Sequence, residues 1–153
     1  MQDPTAKFAT PRIASGALFV EQERILLVRK TYGNLWDIPG GYVDRGESPT
    51  SACEREIREE LGLRMTVKRL LIHDWAPSDA EGDKILYVFE CGKLGKDQNQ
   101  IRPDGVEIDK TEWVPAGDLA RFVIPRLLHR LTNAYHAYTS DTILYLEHGQ
   151  VRP

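Results

Sequence analysis

The chain has 153 residues, of which 41% are hydrophobic and 28% charged, with a formal net charge of −3 at pH 7. That length suits one well-packed domain and is short for two, while the acidic balance argues against a nucleic-acid binder, which would present a basic surface. Neither a secretory leader nor an apolar run near the ~18 residues of a membrane span is visible, so a cytoplasmic protein without a membrane partner is expected. Residues 1–11, with two prolines and no periodicity, read as an irregular lead-in to a single domain over 12–153. Ile13 to Val20 is apolar on both alternating faces, as in a strand covered from two sides. After the polar turn Glu21–Arg24, Ile25 to Val28 is a second buried strand, and the two are expected to form a hairpin. Arg29 and Lys30 follow at the strand's mouth, where they either meet phosphate or lie solvated.

From Gly41 the chain reads GYVDRGESPTSACEREIREELGL, which fits the pattern G-x5-E-x7-R-E-U-x-E-E-x-G-U with U a bulky aliphatic residue. A match at all of these positions arises by chance on the order of once per 10^9 starting points. Ser48-Pro49 reads as a helix start, with a hydroxyl cap and proline in the first turn, and Gly62 as its stop. At ~100° per residue Cys53, Ile57 and Leu61 form an apolar stripe about 80° wide. Glu56 and Glu60 lie ~40° apart on the same wheel, with Glu59 about 60° from Glu56, so the three carboxylates share one edge. Glu60 is only ~20° from Cys53, inside the half that an amphipathic helix buries. Such an edge is self-repelling without a cation, and a hard divalent ion supplies one. Glu54 and Arg58 point the other way and read as solvated. Glu47 lies in the loop before the helix, and an arginine such as Arg55 can grip a carboxylate with two parallel bonds, the other reading being two independent surface charges.

This stretch resembles the Nudix box, and the chain resembles a Nudix hydrolase from about residue 12 to 119, including Trp36-Asp37-Ile38-Pro39-Gly40-Gly41, the family's approach to the box. The resemblance implies an α/β (α+β) fold, an α/β/α sandwich with a mixed β-sheet between the box helix and a C-terminal helix. It assigns the two-bond grip to the pair Glu47 and Arg55. It implies Mg²⁺, for which Mn²⁺ can substitute, held by Glu56, Glu59, Glu60 and the Gly40 carbonyl, with Glu59 also activating water. Glu107 stands where the family places a further glutamate before a Trp-Val element, making it an alternative base, with Glu112 as competitor. The implied reaction is hydrolysis of a phosphoanhydride bond in a nucleoside diphosphate linked to X, foremost a (deoxy)nucleoside triphosphate. ADP-ribose or a nucleotide sugar, a dinucleoside polyphosphate, and a non-catalytic nucleotide-sensing module are the other readings. The expected partner is a small nucleotide-type substrate, and a homodimer is compatible with it.

Beyond the box, Met65 to Ile72 reads as a strand, 76–83 as a turn-rich loop and Ile85 to Cys91 as another strand. His73 is read as a structural residue, with metal or base work as the alternative. Cys53 and Cys91 make no metal-binding spacing and read as packing residues. Residues 92–105 are aperiodic, a length of loop that is usually functional or mobile. Ile124, Leu127, Leu128, Leu131, Tyr135 and Tyr138 predict a core-facing helix, and 142–146 an edge strand or packing arm.

Overall fold

A computed structural model describes residues 3–152. Residues 4–7 form turns and 9–11 are irregular, and residues 1–2 of the lead-in lie outside the described ones. Strand β1 (Arg12–Leu18) forms part of a six-stranded mixed sheet, and the chain then crosses Phe19 into β2 (Val20–Glu21), which belongs to a second sheet. The expected hairpin is therefore confined to its tip: Val20 and Glu21 pair with Ile25 and Arg24 of β3 (Arg24–Lys30), while β1 pairs elsewhere. The break falls at Phe19, whose carbonyl accepts from Leu26 N–H. Gln22 and Glu23 close the turn with φ of 50° and 60°, the left-handed pair that matches strand twist in two-residue hairpins.

Two short strands, β4 (Trp36–Asp37) and β5 (Gly40–Tyr42), bring the glycines to β1 in antiparallel register, Ser15 opposite Gly41 and Gly16 opposite Gly40. Helix α1 (Pro49–Leu61) is followed by β6 (Leu70–Trp75), which starts later than expected. Residues 65–69 are an extended connector whose Lys68 and Arg69 already bond Glu90, and a register shift between Leu70 and Ile72 separates it from the regular ladder. Strand β7 (Lys84–Glu90) runs antiparallel to β6 and parallel to β1. The aperiodic stretch holds a 3-10 turn over Gly95–Gln100, and β8 (Ile108–Pro115) then pairs with β3 along its length.

Helix α2 (Pro125–Ser140) leads to β9 (Leu144–Glu147) and β10 (Gln150–Val151). The tail is no edge strand: β9 lies parallel to β6 inside the order β10-β9-β6-β7-β1-β5, and β10 takes the edge. The strands are buried on both faces, so successive residues of β3 feed two cores. Leu26 and Val28 pack with Cys53, Ile57 and Leu61 of α1, Ile25 and Leu27 with Leu127, Leu131 and Ala134 of α2. The expected α/β/α sandwich is found, with two sheets in its middle layer. Ile124, assigned to the apolar stripe, is instead the exposed cap residue of α2.

Helix α2 is pinned by one buried ion pair. Arg130 Nε donates to Asp74 Oδ2 at 2.7 Å, and Gly149 N–H donates to Asp74 Oδ1 at 3.0 Å. Asp74 is fully buried. Asp74→Ala would strand both a guanidinium and a backbone donor, so the unfolding free energy is expected to fall by about 3–5 kcal/mol. Urea denaturation with an unchanged slope is the measurement.

Candidate active site

The box helix begins where its caps dictate. Ser51 N–H donates to Ser48 Oγ at 3.2 Å, Pro49 opens the first turn, and Gly62, at φ 73°, returns its N–H to Arg58 O at 2.9 Å. That phase buries Cys53, Ile57 and Leu61 and carries Glu56 and Glu60 to the same inner side. Glu54 is not merely solvated, because its carboxylate accepts from Val67 N–H at 2.9 Å.

Arg55 is the hub of the surrounding loop. Its Nε and Nη2 donate to the two oxygens of Glu47 at 2.8 and 2.9 Å, the two-bond grip that the resemblance implies. Nη1 donates to Glu56 at 3.0 Å and to Glu59 at 3.2 Å, and Nη2 also reaches the Tyr42 carbonyl at 3.1 Å. The Arg55 bonds, aided by Asp44 N–H, hold the Glu47 carboxyl down to about 2.

Glu56, Glu60 and Glu107 each place a carboxylate oxygen within 4.8 Å of the others. Glu60 is 1% exposed and accepts from Gly40 N–H at 3.1 Å and from Lys30 Nζ at 3.4 Å. Burial lifts its carboxyl to about 7, against the pull of Lys30 and the Gly40 bond. Burial also raises Glu56, with Arg55 opposing. For Lys30 burial works downward, yet the charges of Glu60 and Asp37 outweigh it and hold the ammonium above its ordinary range.

The two glycines are there for close approach. A Cβ on Gly40 would lie 2.2 Å from the Ser15 carbonyl, and one on Gly41 would lie 2.5 Å from a Glu56 oxygen. For Gly40, the observed contact with the cluster is its N–H on Glu60. Glu59 stands outside the three-carboxylate group, with its side chain 54% exposed and bonded to Arg55.

Glu107 comes from the far sheet, delivered by a turn that the sequence reading left as aperiodic loop. Asp104 Oδ1 accepts from the N–H groups of Val106, Glu107 and Ile108 at 3.0, 3.0 and 2.9 Å. Thr31 then pins the turn to the end of β3 through the Glu107 and Val106 carbonyls. Glu112 is exposed midway along β8, paired with Leu27, and is not in the group. His73 sits between the rings of Tyr87 and Tyr145, with centroids 6.4 and 5.2 Å away. Arg29 is bound through two bonds to Asp109 at 2.9 and 3.1 Å. Of the basic pair only Lys30 enters the site.

Glu56 and Glu107 line a cleft of about 540 Å³, along with Lys30, Asp37, Lys84 and Arg130. Asp37 and Arg130 escaped the sequence reading, and the one signal available was an aspartate between two core residues. Burial pushes the Asp37 carboxyl up, opposed first by Lys30. Three clustered carboxylates, two of them buried, form a set of hard oxygen donors that fits Mg²⁺ or Mn²⁺.

A model of the NUDIX domain matches residues 10–137. The chain belongs to the NUDIX domain family. It is 33% identical over 105 residues to a putative 8-oxo-dGTP diphosphatase of Bacillus subtilis (strain 168), covering 69% of this chain and 66% of that one. An RNA pyrophosphohydrolase of Mesorhizobium japonicum is 31% identical over 60% of this chain and 62% of its own length. Both alignments thus span just under two thirds of the relative. The crystal structure of a UDP-X diphosphatase superposes with a TM-score of 0.75 at 27% identity, covering 94% of this NUDIX chain and 70% of that one. No helix among the described residues is long and apolar enough to cross a membrane.

Two outcomes are expected of this NUDIX site. Glu60 has a folded-state value near 7 against an ordinary 4.5, so its contribution to stability is full below pH 4.5 and is lost as pH rises through about 7. The metal-free protein should therefore melt lower across that window, and Glu60→Gln should remove that part of the slope in a pH series of thermal melts. Arg55→Ala frees Glu47 and Glu56 from their shared anchor and is expected to weaken Mn²⁺ affinity about 10–100-fold, as read by titration calorimetry.

Proposed function

We propose that this protein hydrolyses a phosphoanhydride bond of a nucleoside diphosphate linked to X, with a (deoxy)nucleoside triphosphate as the foremost substrate, in a Mg²⁺- or Mn²⁺-dependent reaction. The observation that carries the reading is the clustering of Glu56, Glu60 and Glu107, whose carboxylate oxygens lie within 4.8 Å of one another, with Glu56 and Glu107 on the wall of the cleft. At about 540 Å³ the cleft falls in the range of small-molecule sites. The names of the relatives, diphosphatase and pyrophosphohydrolase, point the same way.

Glu56 and Glu60 would hold the metal, with Arg55 fixing Glu56 and Gly40 N–H fixing Glu60. When bound, it neutralises phosphate charge and lowers the pKa of the attacking water. Glu107 is exposed on the cleft and free of Arg55, which suits it to take the proton from that water. Glu59 is held by Arg55 and stands outside the three-carboxylate group, so its role is to keep Arg55 in place. Lys30, which donates to Glu60 and lines the cleft, would be free to meet phosphate oxygens if a cation took that carboxylate.

Chelation by EDTA is expected to abolish phosphate or pyrophosphate release, and Mg²⁺ or Mn²⁺ to restore it. Nucleoside triphosphates, ADP-ribose, nucleotide sugars and dinucleoside polyphosphates form the panel. Turnover that survives exhaustive metal removal would sink the mechanism. Glu60→Gln and Glu107→Gln should each lower kcat/KM by about 10²-fold, equivalent to roughly 2.7 kcal/mol. Glu59→Gln should cost much less, and an equal loss would return the base role to Glu59.

A further inference from the structure

The cleft holds one recognition group that the hydrolytic chemistry does not use. Arg130 is buried at 8% exposure and lines the cleft beside Leu127, one turn earlier on α2. Its Nε is committed to Asp74, which is itself fixed by Gly149 N–H on its other oxygen. Neither terminal nitrogen makes a hydrogen bond to any described residue. Docking α2 onto β6 takes the Nε bond, so the remaining N–H groups of the guanidinium form a fixed, planar fork with no protein acceptor. The cleft wall also carries the apolar Ala14, Ile38, Leu86 and Leu127 alongside the charged Lys30, Asp37 and Lys84.

A fork of this kind suits two coplanar acceptors, offered either by a phosphate or by the O6 and N7 atoms of a guanine. Charge separates the two. Arg130 is already neutralised by Asp74, while Lys30 and Lys84 stand on the same cleft wall as further cations. A phosphate is served by those ammonium groups, which leaves the Arg130 fork to a neutral base edge. Resting on the nucleotide reading above, we infer that Arg130 is a specificity-determining residue that reads the O6/N7 edge of a guanine base, held in place by Asp74. Adenine presents an amino group where O6 would be, giving a donor against a donor. An 8-oxoguanine carries hydrogen on N7 and meets the same conflict, so the base favoured here is unoxidised guanine.

The test measures binding of GMP, AMP and 7-deaza-GMP by calorimetry in Mg²⁺. These monophosphates contain no phosphoanhydride bond, so the result is independent of turnover. The N7 acceptor is expected to contribute about 5- to 150-fold, with GMP tighter than 7-deaza-GMP and than AMP by factors in that range. Arg130→Lys keeps a cation opposite Asp74 but lacks the fork, so the ratio of GMP to 7-deaza-GMP affinity should collapse toward one. A change that merely loosened the fold would weaken both ligands and leave their ratio standing. Equal binding of GMP and 7-deaza-GMP to the unmodified protein overturns the inference without any variant, as does a ratio that persists in Arg130→Lys. The hydrolase reading fails separately, by absence of metal-dependent cleavage across the substrate panel.

Discussion

The site depends on one guanidinium. Glu47, Glu56 and Glu59 all hydrogen-bond Arg55, and Asp44 lies 3.6 Å from it. Without that cation the loop before α1 and the helix's inner edge would repel each other. Arginine is suited to the position where lysine is not: its planar fork satisfies both oxygens of Glu47 and still reaches the Tyr42 carbonyl. The loop is thereby closed onto the helix, and β5 is carried into register with β1.

The middle layer supplies the other constraint. Glu60 is buried because α1 lies against strands that are apolar on both faces, and Gly40 and Gly41 let the backbone come within reach of its neighbours. Desolvation raises Glu56 and Glu60 alike, and the two basic groups at hand, Arg55 and Lys30, each offset part of that cost for a different carboxylate. Glu107 arrives from the second sheet, so the cluster exists only when both sheets are assembled.

What was legible in the sequence was what short-range chemistry determines. Ser48, Pro49 and Gly62 delimit α1 because caps act within a turn, and the Glu47–Arg55 pair follows from a loop of fixed length. The apolar stripe of α2 was visible from Leu127 onward, but its polar member Arg130 interrupts that stripe and finds its partner 56 residues away. Nothing local announces Asp74 as that partner. The crossing of β1 into β2 was hidden for a related reason: Ile13 to Val20 is evenly apolar, and a change of sheet at Phe19 leaves no mark on hydrophobicity. Lys30 illustrates the limit from the other side, since a terminal charge on a strand looks solvated until α1 brings Glu60 against it.

That contact bears on how a buried carboxylate is tolerated without an ion. Zinc fingers fold only around their ion. Here an ammonium on the chain's own strand sits against the most buried carboxylate of the cluster, so that carboxylate has a counter-charge built into the fold. A cation bound at Glu60 would compete with a tethered charge that dilution cannot remove, and its net affinity would be reduced by the contact it displaced.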